Sequence, residues 1–426
     1  MDIRPFRGWR FSARDVSNYL APPYDVLTAG DKAELLARCN DNIVGVDLPH
    51  VPPSEAGPDS AYAMAAGGIE TWQADGTITQ DDKPAVYVYE QTYTWAGRKY
   101  TRRAMLCGVR ATELGKDVIP HEHTFAGPKA DRLKLTQHTR MQLSPIFAFY
   151  NDSGHAVADI LAAGVSGQPQ AYGQLADVEQ KLWVIDETDV IDQFAFALRD
   201  VPAFIADGHH RYTTAMNYRD ALVEAGQAHR DHPANFVLFA LVARADPGLL
   251  VLPTHRIVRG LAAHFDVSAL VEQAEDFDWK RCSVEDAHLS DADAFLKRYG
   301  PGAMAIMGAR PAEIWIAKLS RPEAMVAAAP DQLDVWRRLD VAVLHKLIID
   351  KALAPWRTDD LSIEYTPDGR KLLAACHAGS AELGICLQST PVDAVERIAL
   401  AGATMPHKST YFYPKLATGM VLKPVG

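Results

Sequence analysis

The sequence has few cysteines, no long apolar run and no leader-like start. Its five cysteines, namely Cys39, Cys107, Cys282, Cys376 and Cys386, are far apart and form no C-x-x-C pair, which is typical of buried reduced thiols and not of a disulfide framework or zinc ribbon. No stretch approaches the ~20 apolar residues of a membrane-spanning helix. The first residues, MDIRPFRGWRF, carry charges where a signal peptide needs an apolar core. These features predict a cytoplasmic protein without a membrane partner.

Positive charge is also scarce. The 426 residues include 43 Lys and Arg against 54 Asp and Glu, which gives a net charge of −11 and argues against general binding to nucleic acid. The remaining composition, 48% hydrophobic and 23% charged, is that of an ordinary globular protein. The length is sufficient for two or three domains.

The common nucleotide and catalytic signatures are missing as well. The sequence has no G-x-x-x-x-G-K-[ST], G-x-G-x-x-G, G-x-S-x-G or H-E-x-x-H, and it has no internal repeat or low-complexity tract. The chain is therefore not an ordinary P-loop, dinucleotide-binding or zincin enzyme.

The most informative stretch that is present reads FIADGHHRYTTA, at 204–215. The apolar run before it predicts a buried strand, and helix-spaced apolar residues after it predict a helix. The turn between them would carry Asp207, Gly208, His209, His210 and Arg211. Unpaired N–H groups and the helix dipole favour an anion at such a position, and an arginine fork can bind phosphate or carboxylate. The structural alternative is a turn in which the aspartate only caps the helix.

A second polar block, PHEHTFAGPKADR, occupies 120–132. Its candidate catalytic residues are His121, Glu122 and His123, and Asp207 joins them from the first stretch. Glu122 or His121 could act as a general base, and His121 and His123 would share one face of an extended segment, as a metal-binding pair does. Its candidate ligand-binding residues are Thr124, Lys129, Asp131 and Arg132, with amide N–H groups around Gly127. The structural alternative is a solvated loop.

Two shorter stretches complete the candidate site. MPHKSTYFYPK, at 405–415, combines cations, hydroxyl groups and aromatic rings, which suits a stacked base with a phosphate tail. It contributes Lys408 and Ser409, and an aromatic loop that closes over a core is an equal alternative. Thr254-His255-Arg256 follows a predicted strand and contributes His255.

Strand and helix patterns alternate irregularly along the chain, which predicts an α/β fold of the mixed α+β type. The patterns used below are a hairpin of 85–94 and 98–110, a strand pair of 236–243 and 249–253, helices at 59–74 and 392–400, and a long helical pattern at 331–353. We expect an N-terminal mixed α/β domain over 1–260 that carries the polar motifs and the DGHHR turn. A C-terminal α+β region would span 261–426, and its segment 405–419 would return to the site.

Six blocks in order resemble the bacterial and archaeal domain-of-unknown-function family numbered 1015. They are APPYDV (21–26), HEHTFAGPKADRL (121–133), SPIFAFY (144–150), ADGHHRYTTA (206–215), LPTHRIV (252–258) and MPHKSTYFYPKLATG (405–419). Because the blocks extend from near the start of the chain to near its end, the resemblance covers the chain as a whole. The name of this family implies no activity.

DGHHRYTTA is also similar to the helix-start motif of the ParB and sulfiredoxin superfamily, and most of all to the D-G-H-x-R turn of the archaeal free-serine kinases. This resemblance implies a ParB/sulfiredoxin-like nucleotide-binding core, elaborated by additional mixed sheets and helices. It further implies that the residues from Asp207 to Arg211 hold nucleotide phosphates, as the Gly-x-x-Arg turn does in that superfamily.

We therefore expect a nucleotide-dependent phosphotransferase that acts on a small hydroxylated metabolite, serine-like compounds included. Its cofactors would be ATP or ADP with Mg²⁺, because phosphoryl transfer needs positioning and charge neutralisation above all. One alternative is a metal-dependent hydrolase whose ligands are Asp207, His121, His123, and His209 or His210. Another is a non-catalytic nucleotide-binding regulatory protein.

Overall fold

The computed structural model describes residues 1–122, 124–152, 154–285, 287, 289–309, 311 and 313–426. The chain forms two compact units: the first comprises Met1–Leu250 and Pro414–Gly426, and the second comprises Val251–Tyr413. Both units combine helices with sheets, so the mixed α/β class is confirmed. The placement of a domain boundary at 260/261 and the return of 405–419 to the site stay predictions.

The first unit, up to the boundary, contains short strands, four strands of eight or more residues, and helices. The strands are β1 (Ile3–Arg4), β2 (Trp9–Phe11), β3 (Ile78–Gln80), β4 (Val86–Trp95), β5 (Arg98–Arg110), β6 (Val118–Ile119), β7 (Met141–Gln142), β8 (Ile146–Tyr150), β9 (Ala171–Leu175), β10 (Val178–Ile185), β11 (Ala203–Asp207) and β12 (Phe236–Ala243), and β13 (Leu250–Leu252) crosses the boundary. The helices are α1 (Ala29–Arg38), α2 (Val44–Asp47), α3 (Asp59–Ala74), α4 (Ala126–Thr139), α5 (Ala156–Gly164), α6 (Thr188–Leu198) and α7 (His209–Glu224).

A mixed sheet forms the centre of the first unit. Its strand order is β6-β11-β8-β12-β5-β4-β10-β9, with β1 added beside β5. Strand β11 runs parallel to β6 and antiparallel to β8, and β12 is buried along its whole length. Because apolar side chains of these strands pack against α5, α6 and α7, the sheet fixes the end of β11 and the start of α7.

Two predictions for this unit have clear outcomes. The predicted hairpin is confirmed: β4 and β5 pair in continuous antiparallel register, and the turn residues Ala96 and Gly97 have φ of 47° and 74°, which fits a two-residue turn of the primed type. The predicted pairing of 236–243 with 249–253 is wrong. Strand β12 already has β5 and β8 as its neighbours, so both of its edges are occupied.

The second half of the polar block at 120–132 is helical, and not the loop or extended segment that its composition suggested. From Ala126 onward it is helix α4, which packs against α3 and α7. Alanine, lysine, arginine and leucine favour helix in this stretch, and Pro128 lies in the first turn, where its missing N–H removes no helical hydrogen bond. Because so many of these residues are charged, the sequence pattern did not predict this helix.

The second unit is built on an antiparallel sheet. Its strands are β14 (His255–Leu261), β15 (Phe277–Ser283), β16 (Met304–Gly308), β17 (Glu313–Leu319), β18 (Arg357–Thr366), β19 (Leu383–Cys386) and β20 (Tyr411–Tyr413). Its helices are α8 (Val267–Gln273), α9 (Ala292–Lys297), α10 (Glu323–Ala328), α11 (Asp334–Arg337), α12 (Asp340–Val343), α13 (Gly369–His377) and α14 (Val392–Leu400). The sheet order is β15-β17-β16-β19-β14-β18, and α9 and α13 cover one apolar face.

The long helical pattern predicted at 331–353 is interrupted. It consists of α11, α12 and a π-helix at Leu344–Ala352. A carbonyl of α11 accepts from the N–H of Arg338, and Asp340 begins the next helix. Because the apolar residues keep their helical spacing across this break, their periodicity alone did not reveal it.

The last strand, β21 (Lys423–Pro424), belongs to the first unit, where it pairs with β7. Over the residues that the structure describes, none of the helices has the length and apolar character that would let it span a membrane.

Candidate functional site

The DGHHR stretch forms a sharp corner between a strand and a helix. Strand β11 ends at Asp207, Gly208 has φ of 101°, and α7 begins at His209. A side chain is strained at this φ, and a Cβ at position 208 would also lie only 3.1 Å from the guanidinium of Arg211. The first turn of α7 leaves the N–H groups of His209, His210 and Arg211 without acceptors inside the helix. The predicted corner is therefore present, with its amide groups at a helix N-terminus.

Asp207 lies between two cations at this corner. Its carboxylate oxygens are 3.2 Å from Nη2 of Arg211 and 3.3 Å from Nζ of Lys415. Burial alone would raise the pKa of Asp207, but Lys415 and Arg211 lower it to about 2. Burial likewise opposes the charge of Arg211, yet the carboxylates of Asp207 and Asp25 raise its pKa. All three side chains that touch are mostly buried, so the corner holds a charged cluster in which two cations share one carboxylate.

Two histidines beside this cluster are neutral. The Nδ1–H of His121 donates to the carbonyl of Ile205 at 2.7 Å, and the backbone N–H of His121 donates to Nε2 of His209 at 3.2 Å. The two rings meet edge to face with centroids 4.8 Å apart. Burial lowers the pKa of His121 and, with the neighbouring His121 ring, lowers that of His209 still further. Each ring therefore has a defined tautomer and no charge at neutral pH.

The segment before α4 crosses the start of α7. The N–H of Phe125 donates to Nε2 of His210 at 2.9 Å, and the two rings stack with centroids 5.9 Å apart. Glu122 is half-buried, and its carboxylate opposes the effect of burial on the pKa of both His121 and His210. Thus the structure brings the HEH block and the DGHHR corner together. His123 lies outside the described residues.

The other predicted residues of this block fall into two groups. Thr124 and Lys129 are half-buried, and the carbonyl of Lys129 accepts a hydrogen bond from Thr214 on α7 at 3.5 Å. Asp131 and Arg132 instead lie inside the protein, where they bond to each other at 2.7 Å. Their role in nucleotide binding stays a prediction.

Further partners explain why Asp131 and Arg132 are buried. The hydroxyl of Tyr62 donates to Asp131 at 2.6 Å, Nη1 of Arg132 is 3.4 Å from the carboxylate of Asp47, and the guanidinium lies 4.0 Å from the ring centre of Tyr24. A cavity of about 50 Å³ separates this network from Arg211. Such a volume holds a few water molecules and is too small for a nucleotide.

Three predicted residues belong to the second unit. His255 is buried, accepts from the N–H of Leu387 at 3.2 Å, and has its pKa lowered by burial to about 4. The carbonyl of Lys408 accepts from Nη2 of Arg256 at 3.2 Å. Ser409 is buried and donates to the carbonyl of Pro406. These hydrogen bonds give the three residues structural roles within the second unit. Their assignment to nucleotide binding stays a prediction.

Neither Lys415 nor Asp25 was among the predicted site residues. Lys415 lies in the same stretch that supplied Lys408 and Ser409, but it is the lysine after Pro414 that pairs with Asp207. Asp25 is exposed, yet its charge acts on both Arg211 and His210. The signal available for both was their place in two of the six blocks. Within the described ranges, no group of three or more His, Cys, Asp and Glu has an arrangement that could hold a metal ion.

Solved structures with some likeness to this chain include three of interest. They are "Free serine kinase in complex with AMP" (11% identity, TM-score 0.34, 74% of this chain and 92% of that chain), a conserved hypothetical protein from Pyrococcus furiosus (13%, 0.32, 74% and 95%), and SbnI with a C-terminal truncation from Staphylococcus aureus (11%, 0.34, 74% and 85%). At these TM-scores the likeness carries no conclusion about this chain, and the ParB/sulfiredoxin-like core stays a prediction.

Sequence comparison gives a firmer result. None of the curated proteins matches the chain, but the family model described as "Protein of unknown function (DUF1015)" matches residues 3–342. Because this match covers most of the 426 residues, the chain belongs to the DUF1015 family.

Proposed function

We propose that this protein is a nucleotide-dependent phosphotransferase that acts on a small hydroxylated metabolite. The observation that carries the proposal is the corner at Gly208, where the N-terminus of α7 meets the Asp207–Arg211–Lys415 cluster. Amide N–H groups, a helix dipole and two adjacent cations together favour a phosphate. The similarity of DGHHR to the phosphate-binding turn of the free-serine kinases agrees with this assignment.

The nucleotide phosphates would lie on the outer side of the corner, because the internal cavity next to Arg211 has only about 50 Å³. Asp207 has a positioning role in this scheme. It holds Arg211 and Lys415 in place through its two ion pairs, so that both cations stay at the corner where the phosphates would bind. Lys129, whose charge acts on His210, would add a third cation at the same end.

Glu122 is the better of the two candidate bases. His121 is fully buried, and its Nδ1 already donates to a backbone carbonyl, whereas Glu122 is half-buried beside both His121 and His210. In the proposed step Glu122 accepts the proton of the acceptor hydroxyl, whose oxygen forms a bond to the terminal phosphorus of ATP or ADP. The phosphoanhydride bond breaks, and ADP or AMP leaves with the electron pair.

Mg²⁺ would neutralise charge on the nucleotide phosphates. Asp207 does not suit this ion, because both of its oxygens pair with cations. Asp25 and Glu122 are the carboxylates whose charges act on His210, and they would contact the ion or its water shell. Since the described residues offer no three-ligand cluster, the phosphates would supply most of the ligands.

The test measures binding and transfer separately. Calorimetric titration with ATP, ADP and AMP, with and without Mg²⁺, gives the affinity of the wild type, Arg211→Ala, Glu122→Gln and the control Glu113→Gln, whose carboxylate is exposed and pairs with Lys116. Transfer to L-serine and a panel of other small hydroxy compounds is followed by ³¹P NMR. We expect Arg211→Ala to lose nucleotide binding. Glu122→Gln should bind nucleotide normally, but its rate of phosphoryl transfer should fall at least about 100-fold.

Other outcomes select the alternatives. Nucleotide binding without transfer to any acceptor would favour the non-catalytic regulatory protein, and the absence of nucleotide binding would overturn the proposal. The metal-dependent hydrolase stays a prediction without support from the described residues, because Nε2 of His209 and Nε2 of His210 already accept backbone hydrogen bonds. One tightly bound zinc or iron per chain, found by elemental analysis, would favour it.

A further inference from the structure

The second unit contains a large cavity with an apolar floor. Its volume is about 830 Å³, which is within the usual range of small-molecule sites. Residues from the end of β17, from α10, α11, α12 and α14, and from the loop before α14 line it. The apolar part of the lining includes Leu319, Met325, Val326, Leu339, Val343 and Ala394.

Two opposite charges, Lys318 and Asp340, line this cavity without forming an ion pair with each other. A Cβ added to Gly300 would lie 3.1 Å from Nζ of Lys318, and a Cβ added to Gly302 would lie 3.7 Å from Oδ1 of Asp340. Both charged groups therefore border the same turn, at 300–302. Among the described residues, neither Lys318 nor Asp340 has an ion-pair partner within 4.0 Å, whereas many of the surface charges of this unit do. An opposite charge of the ligand could complete each of them.

The carboxylate end of the cavity favours a cation. Burial of Asp340, together with the nearby negative charge of Asp293, raises its pKa to about 6. Asp293 accepts a hydrogen bond from the N–H of Ser389 at 2.8 Å, and its only ion pair in the described part of the chain, with Lys297, is on the exposed side. An ammonium group next to Asp340 would relieve both the desolvation and the repulsion.

Two cations of the lining favour an anion. Arg337 donates to the carbonyls of Gln332 at 2.6 Å and Ala329 at 3.3 Å, but its buried Nε has no hydrogen-bond partner in the described structure. It also has no carboxylate partner there, unlike the neighbouring Arg338, which pairs with Asp334 at 2.6 Å. Arg337 and Lys318 are thus two cations on the cavity wall without a carboxylate.

We propose that this cavity binds a small zwitterion, a molecule with a primary ammonium group and a carboxylate on an apolar body. Asp340 would bind the ammonium group, Lys318 and Arg337 the carboxylate, and the apolar floor the side chain. A free amino acid and a short peptide share this chemistry, and the volume leaves room for either. The proposal concerns the second unit alone and does not rest on the function proposed for the first.

The test compares ligands that differ by one charge. L-leucine and L-leucyl-L-leucine are titrated calorimetrically into the full-length protein, alongside N-acetyl-L-leucine, which lacks the ammonium group, and L-leucinamide, which lacks the carboxylate. We expect at least one zwitterion to bind. The two single-charge analogues should have an affinity at least about tenfold lower, because each loses one charged contact. Binding of the dipeptide alone would identify peptides as the ligand, and binding of leucine would identify amino acids.

Two variants test which side chain binds which charged group of the ligand. Asp340→Asn is expected to weaken zwitterion binding about tenfold and to leave N-acetyl-L-leucine unchanged, whereas Lys318→Met is expected to weaken both. Asp359→Asn and Lys280→Met change exposed residues of the same unit and serve as matched controls. The proposal is overturned if neither zwitterion binds at millimolar concentration, or if Asp340→Asn binds the zwitterions as the wild type does.

Discussion

Arg211 and Arg256 both follow a histidine in a polar stretch of the sequence, and both are at least mostly buried, but their surroundings differ. Arg211 pairs with the carboxylate of Asp207 at 3.2 Å, and its pKa is raised despite burial. Arg256 is fully buried, donates to backbone carbonyls and to the hydroxyl of Thr254, and lies 4.8 Å from the ring centre of Tyr365. Burial without a carboxylate lowers its pKa to about 10.

Arg211 belongs to a charged cluster, whereas Arg256 connects two backbone segments through hydrogen bonds. At the first corner, Asp207 holds two cations in place through its ion pairs with Arg211 and Lys415. In the second unit, Arg256 joins the residues before β14 to the loop at Lys408 through neutral acceptors. A His-Arg pair in a sequence therefore does not identify a binding site, because the nature of the acceptors decides what the arginine does.

The largest effect is expected from Asp207→Ala. The variant leaves Arg211 and Lys415 as two mostly buried cations without their shared carboxylate, so the free energy of unfolding of the first unit should fall by about 3–5 kcal/mol. Urea unfolding measures this change, with Asp177→Ala, at an exposed turn, as the control. A loss of less than ~1 kcal/mol, the value typical of surface ion pairs, would contradict the description of the corner as a tightly coupled cluster.

Acid should weaken the ion pair of Arg211, because its partner Asp207 becomes protonated. The hydrogen bonds of Arg256 to neutral acceptors should not respond in this way. Asp207 has a pKa of about 2 in the folded protein against an ordinary value of 3.8, so its stabilising contribution is complete above pH 3.8 and is lost as the pH falls through 2. The shift corresponds to about 2 kcal/mol. The free energy of unfolding of the wild type and of Asp207→Asn should therefore converge by this amount between pH 4 and pH 2. Parallel curves for the two proteins would contradict the prediction.

The smallest effect is expected from Arg256→Met. Two carbonyl groups lose a donor, but the cost of burying an uncompensated charge disappears too, so the loss of stability should be only about 1–2 kcal/mol. Nucleotide affinity, measured by the same titration as for Arg211→Ala, should not change. A fall of about tenfold would mean that the stretch of His255 contributes to the nucleotide site after all, and the contrast between the two arginines would no longer hold.

Local patterns were sufficient to predict the corner at Gly208. An apolar run, a glycine and a helical stripe specify a strand, a turn and a helix without reference to distant residues, and β11 and α7 follow that order. The hairpin of β4 and β5 was predictable for the same reason. Helix α4 was not, because charged residues with good helix propensity look like a solvated loop until their partners on α3 and α7 are known.

Contacts between distant residues were beyond the sequence. Asp131 and Arg132 were predicted to face a ligand, but they lie in a network with Tyr62 and Asp47, far from them in the sequence. Similarly, nothing in the order of residues indicated that Lys415, and not Lys408, pairs with Asp207. Such pairings depend on how the whole unit packs, which a single sequence does not specify.

The position of Lys415 has a consequence for how the protein is made. The first unit is discontinuous: its final segment, Pro414–Gly426, follows the whole of the second unit in the chain. During translation, Asp207 and Arg211 leave the ribosome long before Lys415 is synthesised. In the nascent chain, Asp207 therefore lacks its ion pair with Lys415 until the second unit has been synthesised. The last segment then supplies this second cation.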